Sequence, residues 1–305
     1  MVHKMRAKKI YKKIEQITQV FKADSTVSAI AFDFMQNLLL PNIPVQEVFY
    51  FRQLWVNTFG IHNLGTDNVS LYVYHEGQAR KTPDEVCSFV KDYIDKNIGE
   101  DITTLYIFSD GCAGQNKNNT VVRFLLSLVD TGRFKQIIQI FPFRGHSFLP
   151  CDRDFGLIKR KVKKSDRVYS VDDYTTMMKE ARRDNPFTIV NVSYEDVLNF
   201  KNWWPKYYKI STSSADKRKW SISTYKMMIF SNKSPGTVIA YELIDGLVET
   251  SFFLLKTKKT KVQHGMKSVY GQDGVAINVK KLKDVEKLLQ YIPEEHLGFY
   301  SDIIA

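Results

Sequence analysis

Ala29-Ile30-Ala31-Phe32-Asp33-Phe34 is an apolar run that carries a single acid near its end. A carboxylate at the mouth of a buried strand is costly to place unless something compensates its charge. The arrangement recurs. Thr104-Leu105-Tyr106-Ile107-Phe108-Ser109 runs into Asp110. Ile137-Ile138-Gln139-Ile140-Phe141-Pro142-Phe143 leads through Gly145, His146 and Pro150 to Asp152 and Asp154. Short apolar runs bounded by polar loops read as buried strands. Acids gathered at one end of such strands could share divalent metal.

The segments around these runs set the architecture. Residues 4–23 read as a basic helix, with Ile10, Ile14, Ile17 and Phe21 at helical spacing. Residues 27–34 form the first strand, and Pro41 and Pro44 make residues 37–44 an extended connector. Residues 48–62 and 69–75 form a hairpin about Gly65-Thr66-Asp67-Asn68. Thr82, Pro83 and Glu85 spell a capped helix start, and Val86, Phe89, Val90, Tyr93 and Ile94 supply its buried face. A strand over 105–109, a helix over 119–130 closed by Gly132, a strand over 136–143 and a short basic helix over 153–164 follow. This order predicts an α/β fold, a mixed five-stranded sheet with helices on both faces. Beyond residue 165 the pattern predicts helices over 171–183 and 193–200 and antiparallel strands over 220–230, 237–243 and 247–256. Closing helices follow over 285–291 and 294–299. The implied organisation is a basic N-terminal helix (1–26), a main domain (27–200) and a smaller C-terminal α+β region (201–305).

Lys and Arg number 44 against 33 Asp and Glu, a formal net charge of +11, and the hydrophobic fraction of 44% is that of a globular chain. A basic globular protein points to a polyanionic partner, nucleic acid first. Cys87, Cys112 and Cys151 are scattered, without a CxxC pair, which argues against a disulfide framework and for a reducing compartment. A zinc site from Cys112, His146 and Cys151 matches no common spacing. There is no bilayer-length apolar run and no secretory h-region. The expected location is nuclear or cytoplasmic, with no membrane partner, and a homo-oligomer is open.

Three stretches could carry chemistry. Ser109-Asp110-Gly111-Cys112-Ala113-Gly114-Gln115-Asn116-Lys117-Asn118 joins a strand to a helix, with Gln115, Asn116 and Lys117 as candidate nucleic-acid donors. It is not a P-loop, and an ordinary capped βα turn is the plain alternative. Arg144-Gly145-His146 ends the next strand, and His146 could move a proton or contact a phosphate; a packed core histidine is the alternative. Asp152 and Asp154 compete for the third carboxylate. A helix starting near Arg153 makes Asp152 the N-cap and Asp154 the site acid, with Asp152 the alternate. Lys159, Arg160, Lys163 and Lys164 follow as nucleic-acid contacts, or as a solvated face. Lysines at 256–261 and the rings of Trp203, Trp204, Tyr207 and Tyr208 add a basic and aromatic supply, the rings reading first as core.

The stretches Phe32-Asp33-Phe34-Met35-Gln36-Asn37, Arg52-Gln53-Leu54-Trp55-Val56, residues 110–118 and Gly145-His146-Ser147-Phe148-Leu149-Pro150-Cys151-Asp152-Arg153-Asp154-Phe155-Gly156 resemble a transposon-associated family with a ribonuclease-H-like domain. The resemblance covers roughly residues 5–210. It implies the transposase and integrase variant of that fold, with acids on the first strand, the fourth strand and the following helix: Asp33, Asp110 and Asp154. It also implies a metal-dependent polynucleotidyl transferase or nuclease acting on DNA phosphodiester bonds, with DNA the expected partner, two Mg²⁺ or Mn²⁺ ions on those acids and His146 assisting catalysis. The alternatives are a domesticated nucleic-acid binder with lapsed catalysis and a protein-interaction scaffold. Two departures stand out. Aspartate replaces the glutamate that ends many such sites, and the chain starts after the Cys/His-rich region that relatives often carry.

Overall fold

The structure, a computed structural model, describes residues 2–143, 148–272 and 274–304, with the backbone alone for residues 2–11 and 22. In chain order the elements are α1 (Val2–Ala23), β1 (Val27–Phe34), β2 (Leu38–Leu40), β3 (Leu54–Asn63), β4 (Val69–His75), α2 (Pro83–Asn97), β5 (Thr104–Ser109) and α3 (Asn119–Asp130). Then come β6 (Gln136–Ile140), α4 (Pro150–Val162), α5 (Val171–Glu180), β7 (Thr188–Asn191), α6 (Phe200–Trp203), β8 (Met227–Ser231), β9 (Thr237–Tyr241), β10 (Glu249–Phe253), α7 (Val279–Leu288) and α8 (Glu294–Ile304).

The centre of the sheet runs β4-β3-β1-β5-β6. β3 is antiparallel to both its neighbours, while β1, β5 and β6 are parallel. Helices cover both faces. Ile30 and Phe32 of β1 face α2 and α3, while Ala29 and Ala31 face α4 and α5. That is the period of two expected of a strand buried on both sides.

The predicted five-stranded sheet is corrected to ten strands among the described residues. β7 adds parallel to β4 at one edge, and β8, β9 and β10 add antiparallel beyond β6 at the other. The C-terminal strands therefore continue the central sheet. β2 pairs with β3 inside the expected connector. Residues 193–200 form no helix of the predicted length; a single 3₁₀ turn covers Tyr194–Asp196 before α6. α4 starts at Pro150, three residues earlier than predicted, because proline at the first helical position suits the fixed φ and missing N–H.

Local chemistry fixes the ends that matter. Thr82 Oγ1 accepts from the Asp84 amide at 3.3 Å and the Thr82 amide donates to Glu85 at 2.7 Å, so α2 begins on the predicted capping box. Asn118 Oδ1 accepts from the Thr120 and Val121 amides and starts α3. Gly132 ends it at φ +85°, a conformation that a side chain would strain.

Candidate functional site

Strand alternation puts Asp33 on the face of Ala29 and Ala31, and Asp110 on the face of Tyr106 and Phe108. Phe32 pairs with Ser109 across the parallel β1–β5 ladder, so the two acids leave adjacent strands side by side at their C-terminal ends. α4 lies over this face because the sheet there is small: Ala29, Ala31 and Gly60. A Cβ on Gly60 would stand 2.8 Å from the Phe155 ring, and Cys151 Sγ reaches the Ala31 carbonyl at 3.1 Å. The close approach carries the first turn of α4, and Asp152 with it, to the acid mouth.

Asn116 braces the mouth. Its Nδ2 donates to Asp110 Oδ1 at 2.7 Å and to Asp33 Oδ1 at 3.3 Å. Burial first, then the Asp110 and Asp152 charges, push Asp33 up to about 7, against the Phe34 amide and the Asn116 side chain. Asp152 is raised by burial and by Asp110, while the Leu149 amide and Lys159 oppose the shift. Asp152 Oδ2 accepts from that amide at 2.7 Å. Asp110 Oδ1 also accepts from the Cys112 amide at 3.0 Å, which folds the loop back on itself.

Asp154 points elsewhere. It is fully buried, and its Oδ2 lies 2.8 Å from His62 Nδ1. His62 Nε2 is 3.3 Å from Asp67, which also pairs with Arg153 and Arg182. The sequence reading places His62 in the hairpin and Asp67 in its turn but assigns neither a part in the site. Of the two competing acids, Asp152 faces Asp33 and Asp110, and Asp154 joins an ion network that pins α4 to β3.

The expected donors divide as well. Lys117 is buried, with Nζ donating to Ser223 O at 3.1 Å and Tyr225 O at 2.5 Å and lying over the Phe141 ring. Burial and Lys226 bring it down to about 8. It ties the loop to the segment entering β8 and does not reach the mouth. Gln115 is half-buried on the loop. Lys159 Nζ donates to Gln36 Oε1 at 3.1 Å beside the mouth. Arg160, Lys163 and Lys164 are exposed on or just past α4. His146 lies outside the described residues. The rings of Trp203, Trp204 and Tyr208 are core, and that of Tyr207 packs against it. Lys81, which no local signal singled out, donates to Met35 O at 2.9 Å and sits over Phe34. Burial brings it down to about 8, opposed by Asp33.

Oxygen donors of this kind suit Mg²⁺ or Mn²⁺. Among the described residues, however, no three acid, histidine or cysteine side chains are gathered closely enough to hold one ion. Asp33 and Asp110 make a pair, and Asp152 stands off from it.

Residues 52–233 match a family described as a domain of unknown function, DUF7869. The chain belongs to the DUF7869 family. No curated protein matches it. The DUF7869 match spans β3 to β8 and contains Asp110, Asn116 and Asp152, while Asp33 on β1 precedes it. Among the described residues of this DUF7869 chain, no helix is long and apolar enough to cross a membrane.

Proposed function

We propose that the chain is a nucleic-acid-binding domain of transposon origin built on a ribonuclease-H-like core, acting in the nucleus. The β4-β3-β1-β5-β6 centre supports that core, because it sets the first and fourth long strands side by side in a parallel pair. One observation carries the binding reading: α4, whose first turn faces the Asp33–Asp110 mouth, presents Lys159, Arg160, Lys163 and Lys164 on and beyond the turns that follow. A phosphate backbone laid over these cations would release counterions, and the excess of positive charge favours the encounter.

A second reading, metal-dependent phosphodiester cleavage or strand transfer, is favoured by the proton that Asp33 retains to about pH 7 beside Asp110. A divalent ion could take the place of that proton. The described residues do not complete a three-ligand site.

Fluorescence anisotropy with labelled single- and double-stranded oligonucleotides, with and without Mg²⁺ or Mn²⁺, tests both readings, each sample being run on a gel afterwards. The binding reading expects salt-sensitive binding that Asp110→Asn retains or tightens. Metal-dependent cleavage abolished by Asp110→Asn would move the conclusion to the second reading. Absence of binding under all conditions would overturn both and leave a protein-interaction scaffold.

A further inference from the structure

Past Asp152, the solvent side of α4 leads away from the mouth. Gly156 and Arg160 follow at four-residue spacing, a row that climbs about 12 Å along the axis from Asp152 while turning slowly around the helix, and Lys164 continues it just past the helix end. Arg160 and Lys164 are exposed. A Cβ on Gly156 would meet nothing within 4 Å, so the row is bare beside the mouth.

The row ends at a cavity of about 500 Å³ where the end of α4, the connector to α5, α5 itself and α8 meet. Lys164 and Arg167 stand on its rim, and Tyr169, Met177 and His296 line it. The Tyr169 and His296 rings stack with centroids 5.1 Å apart and 27° between planes. The acids of the cavity are already engaged. Asp173 Oδ2 accepts from the Tyr169 and Ser170 amides at 2.8 and 2.9 Å, and Glu180 pairs with Lys161 at 2.7 Å. Lys164 and Arg167 have no ion pair among the described residues. The cavity thus offers two cations without an ion pair among the described residues, one apolar side chain in Met177, and a ring surface, which is the chemistry of a nucleotide: phosphate on the cations, base on the rings.

We propose that this cavity receives a nucleotide of the same single strand that passes the Asp33–Asp110 mouth, with Gly156 and Arg160 lying under the strand between the two. The proposal rests on the nucleic-acid reading above and adds a second anchor and a preference for single strands. The test is a length series of labelled single-stranded oligonucleotides, read by anisotropy on the full chain, for the wild type, Arg167→Ala, His296→Ala and Gly156→Trp. The wild type should gain affinity in a step once the strand spans mouth and cavity. His296→Ala and Arg167→Ala should each lose roughly tenfold on strands beyond the step and nothing on shorter ones. Gly156→Trp, which has open space to occupy, should remove the step. Unchanged wild-type melting temperatures in the variants show that the loss is not unfolding. Smoothly rising affinity with variants that track the wild type at every length overturns the second anchor while leaving the nucleic-acid reading in place. No binding by the wild type at any length overturns that reading, and the anchor with it.

Discussion

Asp33 and Asp110 share one hydrogen-bond donor, the Nδ2 of Asn116, at 3.3 and 2.7 Å. The amide is turned so that its NH₂ faces two carboxylates, and its own Oδ1 is left buried with no partner among the described residues. Leaving such an acceptor unpaired costs about 1–3 kcal/mol. The opposite orientation would set a carbonyl oxygen against two acids, which is worse. The mouth is therefore an electrostatically crowded place that one side chain holds together.

Asn116→Asp should accordingly destabilise the fold more than Asn116→Ala, because it replaces the shared donor by a third negative charge. Urea unfolding at pH 8 checks this. The gap between the variants should close near pH 4, where the carboxylates take up protons. Equal stabilities at pH 8 would mean that the amide braces nothing.

Asp33 gives a pH dependence of unusual sign. Its folded pKa is raised from the ordinary 3.8 to about 7, so between these values the folded state holds more protons than the unfolded one. Stability from this group therefore falls as pH rises from about 4 to 7 and is level above that. Asp33→Asn should remove the fall. It should melt higher than the wild type at pH 8, by up to a few kcal/mol in unfolding free energy, and the gap should shrink towards pH 4. Parallel melting curves across pH 4–8 would contradict the raised pKa.

Asp152 and Asp154 should separate cleanly on mutation. Asp154→Ala removes the buried hydrogen-bond partner of His62 and should cost about 1–3 kcal/mol. Asp152→Ala loses a half-exposed side chain and one hydrogen bond to the Leu149 amide, while relieving the repulsion with Asp110. It should change stability by less than about 1 kcal/mol. Chemical denaturation of both variants distinguishes the mouth acid from the anchoring one. The reverse ranking would exchange their positions.

Much of the fold was legible because it rests on local periodicity. The β1 and β5 segments are short apolar runs that end at Asp33 and Asp110, and the Thr82–Glu85 box and Asn118 mark helix starts in a few residues. The third acid reads from sequence as Asp154, with Asp152 the alternate, because a helix start near Arg153 is expected there and the α4 boundary decides which of the two neighbouring aspartates turns to the mouth. Pro150 at the first helical position is the signal that places Asp152 in the first turn and Asp154 against the sheet. β7 and β8–β10 were harder. They are short, and their pairing with β4 and β6 is set by partners far along the chain. The inward turn of Lys117 had no local signal at all, since its acceptors lie at Ser223 and Tyr225.

Lys117→Ala should therefore act on stability. It strands two backbone carbonyls beside the loop and should cost about 2–4 kcal/mol, with weaker protection of the β8 amides in hydrogen exchange. Lys163→Ala, on an exposed side chain, should leave stability within about 0.5 kcal/mol of the wild type. A neutral Lys117→Ala would mean that the loop does not depend on this tie.

The central claim is that nucleic acid lies over α4 beside the Asp33–Asp110 mouth, and the salt dependence of binding tests it most directly. Anisotropy titrations between about 50 and 200 mM salt should give log K falling linearly with log salt for the wild type. In Lys159→Ala/Lys163→Ala/Lys164→Ala the slope should be shallower by about 0.7–0.9 for each phosphate that is no longer neutralised, with melting temperature unchanged. A triple variant that binds with the wild-type slope and affinity, or a wild type with no salt-dependent binding, would contradict the account.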